Sequence, residues 1–200
     1  MGNLHRMMVR AAAGRPVGGG PAITESFDGP DSGSLGPDLS WTDLAGNWTV
    51  VSNKAKSNTG GRSVAVTDTG LTAGSMYAQA DLAMASSNNG VGPLICSLSS
   101  VQTYYYAEIN LWSQFLKIFR TDSGSNTSLA EIAFTVTVGT TYEVRVEHDG
   151  AGGIKMFVDG VEELTATDGG TVLTGTYAGL RTYSSDASEY AEADNFEAGA

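Results

Sequence analysis

Two segments of the chain alternate apolar side chains with aromatic, amide and carboxylate ones, an arrangement that suits the binding of a sugar. In residues 76–84 and 104–112 the polar and aromatic side chains recur at every second position, and side chains two apart point to the same face of a β-strand. Sugar rings stack on aromatic faces through their C–H bonds, and their hydroxyls pair with amides and carboxylates. The pattern predicts one face that binds a glycan or a partner, formed by Tyr77, Gln79, Tyr104, Tyr106, Glu108, Asn110 and Trp112.

Two other interpretations of this face stay open. Tyrosine and tryptophan are also enriched at protein–protein contacts, so the face could bind a partner protein instead of a glycan. A loop of the same chain could also cover it. The residue pattern alone does not separate these three interpretations.

The chain around these residues consists of short segments that alternate with a period of two, separated by Gly, Asn, Asp and Ser. Such spacing predicts an all-β fold, an antiparallel β-sandwich of two sheets in residues 23–200. Each strand would bury one face and expose the other, which is typical of antiparallel sheets. The predicted strands are Thr24–Phe27, Asn47–Ser52, Arg62–Val66, Met76–Met84, Gly92–Leu98, Tyr104–Trp112, Phe115–Thr121, Ala130–Thr135, Tyr142–His148, Ile154–Val158, Val161–Ala166, Tyr177–Thr182 and Tyr190–Phe196.

Residues 1–22 differ from the rest and form a basic, Gly-rich arm. Apolar residues in its first half follow helical spacing, and a glycine-rich stretch follows as a hinge. Such a segment is too short to hold a helix alone in water. It is therefore either an extended or short-helical anchor that orders on a partner or a frayed terminus. The residues that would attach it are Leu4, Arg6, Met7, Met8 and Arg10.

Charge and composition exclude several classes of protein. With 11 Lys and Arg against 22 Asp and Glu, the net charge is −11, and such an acidic domain is repelled by phosphate backbones, so we expect no nucleic-acid partner. No apolar run approaches the ~18 residues of a membrane span. Arg6 and Arg10 interrupt the apolar stretch that a secretory signal needs, so we expect no export by the general pathway. The single cysteine, Cys96, excludes an internal disulfide framework.

One long stretch, YEVRVEHDGAGGIKMFVDGVEELTATD, resembles the hairpin of concanavalin A-like, laminin-G-like jelly rolls. The segment AGLRTYSSDASEYAEADNFEAG is similar to the closing strands of that group, and ITESFDG is similar to the opening strand that pairs with the last. The resemblance covers about residues 23–200 and implies a lectin-like jelly roll. It does not settle function, because this fold hosts lectins, glycanases, adhesion modules and virion proteins.

The segment EADNFE resembles the E-x-D-x-x-E motif of jelly-roll glucanases that retain configuration. The resemblance would make Glu192 the nucleophile and Glu197 the general acid, with their carboxyl groups about 5–5.5 Å apart. Strand parity puts Glu192 and Asp194 on one face and Glu197 on the other, unless a bulge intervenes. We therefore expect a closing strand with surface carboxylates and no enzymatic activity.

The sequence predicts no cofactor, although some jelly rolls hold a structural calcium near their first and last strands. Asp28, Asp31 and Asp194 are the candidates for that ion. Calcium takes 6–8 oxygen ligands, and no loop here carries an obvious run of them. Cys96 lies in an apolar segment and is expected in the core, and His148 lies in the turn sequence EHDG.

These features together predict a non-enzymatic virion structural protein of a tailed bacteriophage, a capsid decoration or minor tail protein. It would assemble in the host cytoplasm, bind other virion proteins through residues 1–22, form a homo-oligomer with a trimer preferred, and contact host-surface glycans. The alternative is a carbohydrate-binding module of a bacterial surface or secreted protein. A jelly-roll glycoside hydrolase agrees least with the sequence.

Overall fold

Short strands make up the regular structure of this protein in a computed structural model, which describes residues 22–57, 60–71, 74–85, 89–185 and 191–200. No helix occurs within these ranges, and therefore none there is long and apolar enough to cross a membrane. The strands are β1 (Ile23–Glu25), β2 (Trp41–Ala45), β3 (Trp48–Val50), β4 (Ala55–Ser57), β5 (Gly61–Asp68), β6 (Ser75–Met84), β7 (Asn89–Ser97), β8 (Tyr104–Asn110), β9 (Phe115–Asp122), β10 (Ser125–Ala133), β11 (Tyr142–Asp149), β12 (Gly153–Val158), β13 (Val161–Thr167), β14 (Tyr177–Ser184) and β15 (Ala191–Gly199).

The described strands form two antiparallel sheets. One sheet has eight strands in the order β13-β12-β11-β6-β15-β4-β3, and β1 adds to β15 beside β4. The other sheet has seven strands in the order β10-β9-β8-β7-β14-β5-β2. The predicted all-β, two-sheet sandwich is confirmed.

The main core lies between the sheets, and the predicted parity accounts for it. On β6 the side chains of Met76, Ala78, Ala80, Leu82 and Met84 are at most 5% exposed and belong to this core. Their neighbours across the sheet on β11 and β15 alternate in the same way. Burial of the inner faces of the central strands is what holds the sandwich closed.

A second apolar cluster covers the outer face of the seven-stranded sheet, where an exposed surface would be expected. It contains Val64, Val66, Leu94, Tyr104 and Tyr106, all at most 1% exposed. A sheet face buried on the outside must be covered by the sheet itself or by its loops.

The cover comes from contacts between distant strands of the same sheet. The Arg62 guanidinium on β5 donates to Gln102 Oε1 at 2.9 Å and to the carbonyl of Gly124 at 2.8 Å, in the turn that joins β9 and β10. Three strands lie between β5 and β9, so they would be about 19 Å apart in a flat sheet. The sheet therefore curls over its outer face, and we call Arg62, Gln102 and Gly124 the clasp.

Candidate functional site

The residues predicted to share one face belong to two different sheets, so the prediction of a single face is wrong. Tyr77 and Gln79 lie on β6 in the eight-stranded sheet, whereas residues 104–110 form β8 in the seven-stranded sheet. Both sets point outward, on opposite sides of the sandwich. Parity tells which way a side chain points from its strand, but not which sheet the strand joins.

Tyr104 and Tyr106 are not accessible to a ligand. They are 0% and 1% exposed and pack in the apolar cluster beneath the clasp. The Tyr106 ring stacks on Phe119 with 4.9 Å between centroids, and the Tyr104 ring meets it edge-on at 5.9 Å. At this end of the face, side chains of the same sheet cover the two tyrosines.

Glu108 anchors a polar cluster at the middle of the same face. Its Oε2 accepts a hydrogen bond from Arg181 Nη1 at 3.0 Å, and its Oε1 accepts one from Asn110 Nδ2 at 2.8 Å. The Arg181 guanidinium also lies 4.0 Å above the Tyr106 ring. Burial acts to lower the pKa of Arg181, but Tyr106 and Glu108 outweigh it and raise the pKa. The guanidinium forms an ion pair with the Glu108 carboxylate at 3.0 Å.

A glycine makes room for these side chains. Gly90 on β7 lies opposite Asn110, and a Cβ there would be 2.6 Å from Glu108 Cδ and 2.9 Å from Asn110 Nδ2. The carboxylate and the amide therefore lie over the glycine and form a polar floor between β8 and β14. Any larger residue at position 90 would push them away.

Two exposed aromatic side chains flank this floor. Trp112 is 74% exposed in the turn that follows β8, and Tyr183 is 51% exposed on β14. Only β7 lies between β8 and β14, so these two strands are about 10 Å apart. We call Glu108, Asn110, Trp112, Arg181 and Tyr183 the open site.

The turn that carries Trp112 is held in place. Asn110 Oδ1 accepts from the Ser113 amide at 2.8 Å, and Gln114 Nε2 donates to the carbonyls of Leu111 at 2.7 Å and Val136 at 3.1 Å. Gln114 has a left-handed φ of 57°, which the turn requires. An aromatic side chain on a fixed turn loses little backbone entropy when it binds a ligand.

Sequence reasoning missed Arg181 and Tyr183. Both have the same parity in residues 177–184 and so share a face, which the alternation in that segment could have shown. Their proximity to β8 depends on β7 pairing with both strands. That pairing is a long-range property that no local pattern contains.

Tyr77 and Gln79 take part in a different arrangement on the eight-stranded sheet. The Tyr77 hydroxyl donates to Glu197 Oε1, and Gln79 Nε2 lies 3.5 Å from Glu197 Oε2. The Arg145 guanidinium lies 4.3 Å above the Tyr77 ring, which leaves that ring 4% exposed. A cleft of about 550 Å³ beside them is lined by polar side chains that include Gln79, Asp81, Glu143, Asn195 and Glu197.

The EADNFE carboxylates share a face after all. The β15 register shifts between Asp194 and Glu197, and Asn195 adopts a left-handed φ of 49° there. This bulge turns Glu197 to the outer face, where Glu192 also lies. The expectation that Glu197 falls on the other face holds only for a regular strand.

The shared face does not make this segment a catalytic pair. Glu192 lies next to Ala83 and Glu197 next to Gln79 on β6, four residues or about 13 Å apart along the strand. Retaining glycosidases need about 5–5.5 Å between the carboxyl groups and inverting ones at most about 9.5 Å. Burial acts to raise the pKa of Glu192, but Lys54 and Lys56 outweigh it and lower the pKa. Their ammonium groups lie 2.7 and 2.8 Å from the Glu192 carboxylate.

The remaining predicted residues are placed as follows. The arm residues Leu4, Arg6, Met7, Met8 and Arg10 lie outside the described residues. Of the calcium candidates, Asp31 accepts from the Ser52 amide at 2.8 Å, and Asp194 from the Asn195 amide at 2.8 Å. Within the described ranges, three or more His, Cys, Asp or Glu side chains nowhere come together as a metal site would need. Calcium stays an untested prediction.

Several solved structures share this fold. The carbohydrate binding module CBM66 from Bacillus subtilis has a TM-score of 0.70 at 16% identity, over 81% of this chain and 96% of the module. A Bacillus subtilis protein of unknown function with a galectin-like fold has a TM-score of 0.67 at 11% identity, over 91% and 97%. The carbohydrate recognition domain of Emp47p has 0.59 at 11% identity, over 89% and 94%.

No family model matches the sequence, and no curated protein matches it either. The structural likeness shows that the chain has a galectin-like, jelly-roll β-sandwich fold, as the sequence resemblance implied. Two of the three structures named above are carbohydrate-binding domains. At these identities the likeness concerns the fold.

Proposed function

We propose that this protein is a non-enzymatic carbohydrate-binding module that holds a polysaccharide at the open site. The observation that carries the proposal is the pair of exposed aromatic side chains, Trp112 and Tyr183, on either side of the Glu108–Asn110 floor. Aromatic walls take the C–H faces of sugar rings, and a polar floor takes their hydroxyls. The carbohydrate-binding domains among the similar structures support the same class of function.

The charge state of the floor indicates the kind of glycan. Arg181 neutralises Glu108, both side chains are at most 7% exposed, and the chain as a whole carries a net charge of −11. An anionic polysaccharide would meet a negative field without a free cation in the open site. We therefore propose a neutral polysaccharide as the ligand.

The test is affinity electrophoresis of the full chain in gels that contain neutral polysaccharides, with an anionic polysaccharide for comparison. Retardation by at least one neutral polysaccharide that is lost in Trp112→Ala supports the proposal. Equal retardation of the wild type and Trp112→Ala, or retardation by the anionic polymer alone, overturns it.

Attachment to a tailed-phage virion through residues 1–22 is a wider proposal that rests on the sequence alone. None of the three similar structures named above is described as a phage protein. Deletion of residues 1–20 should abolish incorporation into the particle and leave a folded domain. Unchanged incorporation would contradict the anchoring role.

A further inference from the structure

A single row of residues crosses the seven-stranded sheet at the open site. Backbone pairing places Phe115 on β9 opposite Asn110 on β8. On β7, Gly90 lies opposite Asn110 on one side and opposite Tyr183 of β14 on the other. Side chains at directly opposed positions share a face of the sheet, so Phe115 lies on the same outer face as Asn110 and Tyr183.

Phe115 is a half-buried aromatic residue that belongs to neither apolar cluster of the described residues. Its neighbours on β9 differ, since Leu116 packs in the core between the sheets and Phe119 packs against the cluster beneath the clasp. Lys117 Nζ lies 5.5 Å from the centroid of the Phe115 ring and also pairs with Glu131 at 3.5 Å. One ammonium covers one face of a ring that has two, so Phe115 can still stack on a sugar.

The burial of the neighbouring side chains confines a ligand to this row. Along β8, the outward side chain after the half-buried Asn110 is Glu108, which is 6% exposed. Along β14, Tyr183 is 51% exposed, whereas Arg181 is 3% exposed. In the opposite direction β8 ends at the turn that carries Trp112. A long glycan therefore extends across the strands and not along them.

The row is long enough for several sugar residues. Three strand spacings separate β9 from β14, which is about 14 Å and exceeds the width of one sugar ring. Ala133, opposite Phe115 on β10, is small and exposed, so it leaves that end of the row unobstructed.

We propose that the polysaccharide of the open site crosses the strands along this row, and that Phe115 is a further residue that stacks on it. The ligand is then a stretch of several sugar residues, held from Phe115 to Tyr183, and not one terminal sugar. This proposal rests on the proposed function of the open site.

The experiment is an NMR titration of the full chain with linear oligosaccharides, from the monosaccharide to the hexasaccharide. They are cut from whichever of β-glucan, amylose, xylan and glucomannan retards the chain most strongly in affinity electrophoresis. We expect the affinity to rise with length and to level off once the oligosaccharide reaches from Phe115 to Tyr183. Phe115→Ala should weaken hexasaccharide binding roughly fivefold, because one stacking contact is lost.

Phe157→Ala is the matched control. Phe157 is also half-buried and has the Arg145 guanidinium 6.0 Å from its ring, but it lies in the eight-stranded sheet. This variant should bind the hexasaccharide as the wild type does. Phe115→Leu keeps an apolar side chain on β9 and removes the aromatic face, so it should show the loss of affinity without a change of fold. Tyr183→Ala should also weaken hexasaccharide binding, and its effect should add to that of Phe115→Ala because the two positions are far apart.

The results distinguish failure of this proposal from failure of the proposed function. If none of the four polysaccharides binds, or if Trp112→Ala leaves their binding unchanged, both are overturned. Binding that depends on Trp112 but is equally tight for the monosaccharide and the hexasaccharide overturns this proposal alone. The same holds if Phe115→Ala and Phe115→Leu leave hexasaccharide affinity unchanged, or if Phe157→Ala lowers it as much.

Discussion

Arg181 and Glu108 lie on strands that are not neighbours, and they still form an ion pair of 3.0 Å across β7. Their side chains are 3% and 7% exposed, so the pair is buried on the outside of a sheet. Gly90 leaves the space that the carboxylate occupies, and the clasp covers the tyrosines behind it. On this face Tyr104 and Tyr106 are buried, whereas Trp112 and Tyr183 are exposed.

The first prediction concerns the buried pair. Arg181→Met leaves an unpaired carboxylate and should lower the free energy of unfolding by about 3–5 kcal/mol. The double variant Arg181→Met, Glu108→Leu removes both charges and should lose clearly less than the sum of the two single variants. Urea unfolding of the three variants measures this coupling, and strictly additive losses would mean that the pair does not act as a unit.

The second prediction concerns Gly90. Gly90→Ala places a methyl group against Glu108 and Asn110, and overpacking of this kind costs about 1–3 kcal/mol. The matched control is Gly169→Ala, where a Cβ meets no heavy atom within 4 Å, and its effect should stay within about 0.5 kcal/mol. Equal unfolding midpoints for the two variants would contradict the described floor.

The third prediction concerns the clasp. Arg62→Met keeps the apolar stem but removes the hydrogen bonds to Gln102 and Gly124, which should cost about 1–3 kcal/mol. Amides of β8 and β9 near Tyr104 and Tyr106 should then exchange with solvent faster. The control is Lys117→Met, which removes a 3.5 Å ion pair with the half-exposed Glu131. Unchanged amide exchange in Arg62→Met would count against the clasp.

The fourth prediction concerns the pH dependence of stability. Burial raises the pKa of Asp194, and the neighbouring Asp81 and Asp28 add to this. The protonated form is favoured in the folded state, so ionisation of Asp194 destabilises the fold as pH rises above its usual value of 3.8. Asp194→Asn should therefore stabilise the protein at pH 7.

That gain should shrink as pH falls through the raised pKa and vanish below the usual one. Unfolding midpoints from pH 3 to 7 measure it, with Asp122→Asn, a 59% exposed side chain, as the comparison. A gain in Asp194→Asn that is the same at every pH would show that the charge is not its cause.

The sequence predicted the parts of the fold that local alternation determines. The parity of residues 76–84 is confirmed by their burial, and most strands were placed within a few residues. β2 and β4 were missed because each is short and lacks the alternation: Trp41–Ala45 is exposed or half-buried throughout, and Ala55–Ser57 has three residues. Only their partners in the sheet make them strands.

The candidate site was predicted less well, for a related reason. Residue type and spacing identified Glu108, Asn110 and Trp112. The residues predicted to share a face with them were partly wrong. Assigning Tyr77 to the same face, and missing Tyr183, both come from the pairing of strands far apart in the chain. The bulge at Asn195 had one local signal, since asparagine tolerates a left-handed φ better than most residues do.

The central claim is that Trp112 contacts a polysaccharide, and its indole N–H signal in an NMR titration tests this most directly. The chain has three tryptophans. The indole N–H signal that disappears in Trp112→Phe is the signal of Trp112. We predict that a neutral polysaccharide shifts the Trp112 indole signal and leaves that of Trp48, which is fully buried, in place. A polysaccharide that binds and leaves the Trp112 signal unmoved would contradict the account.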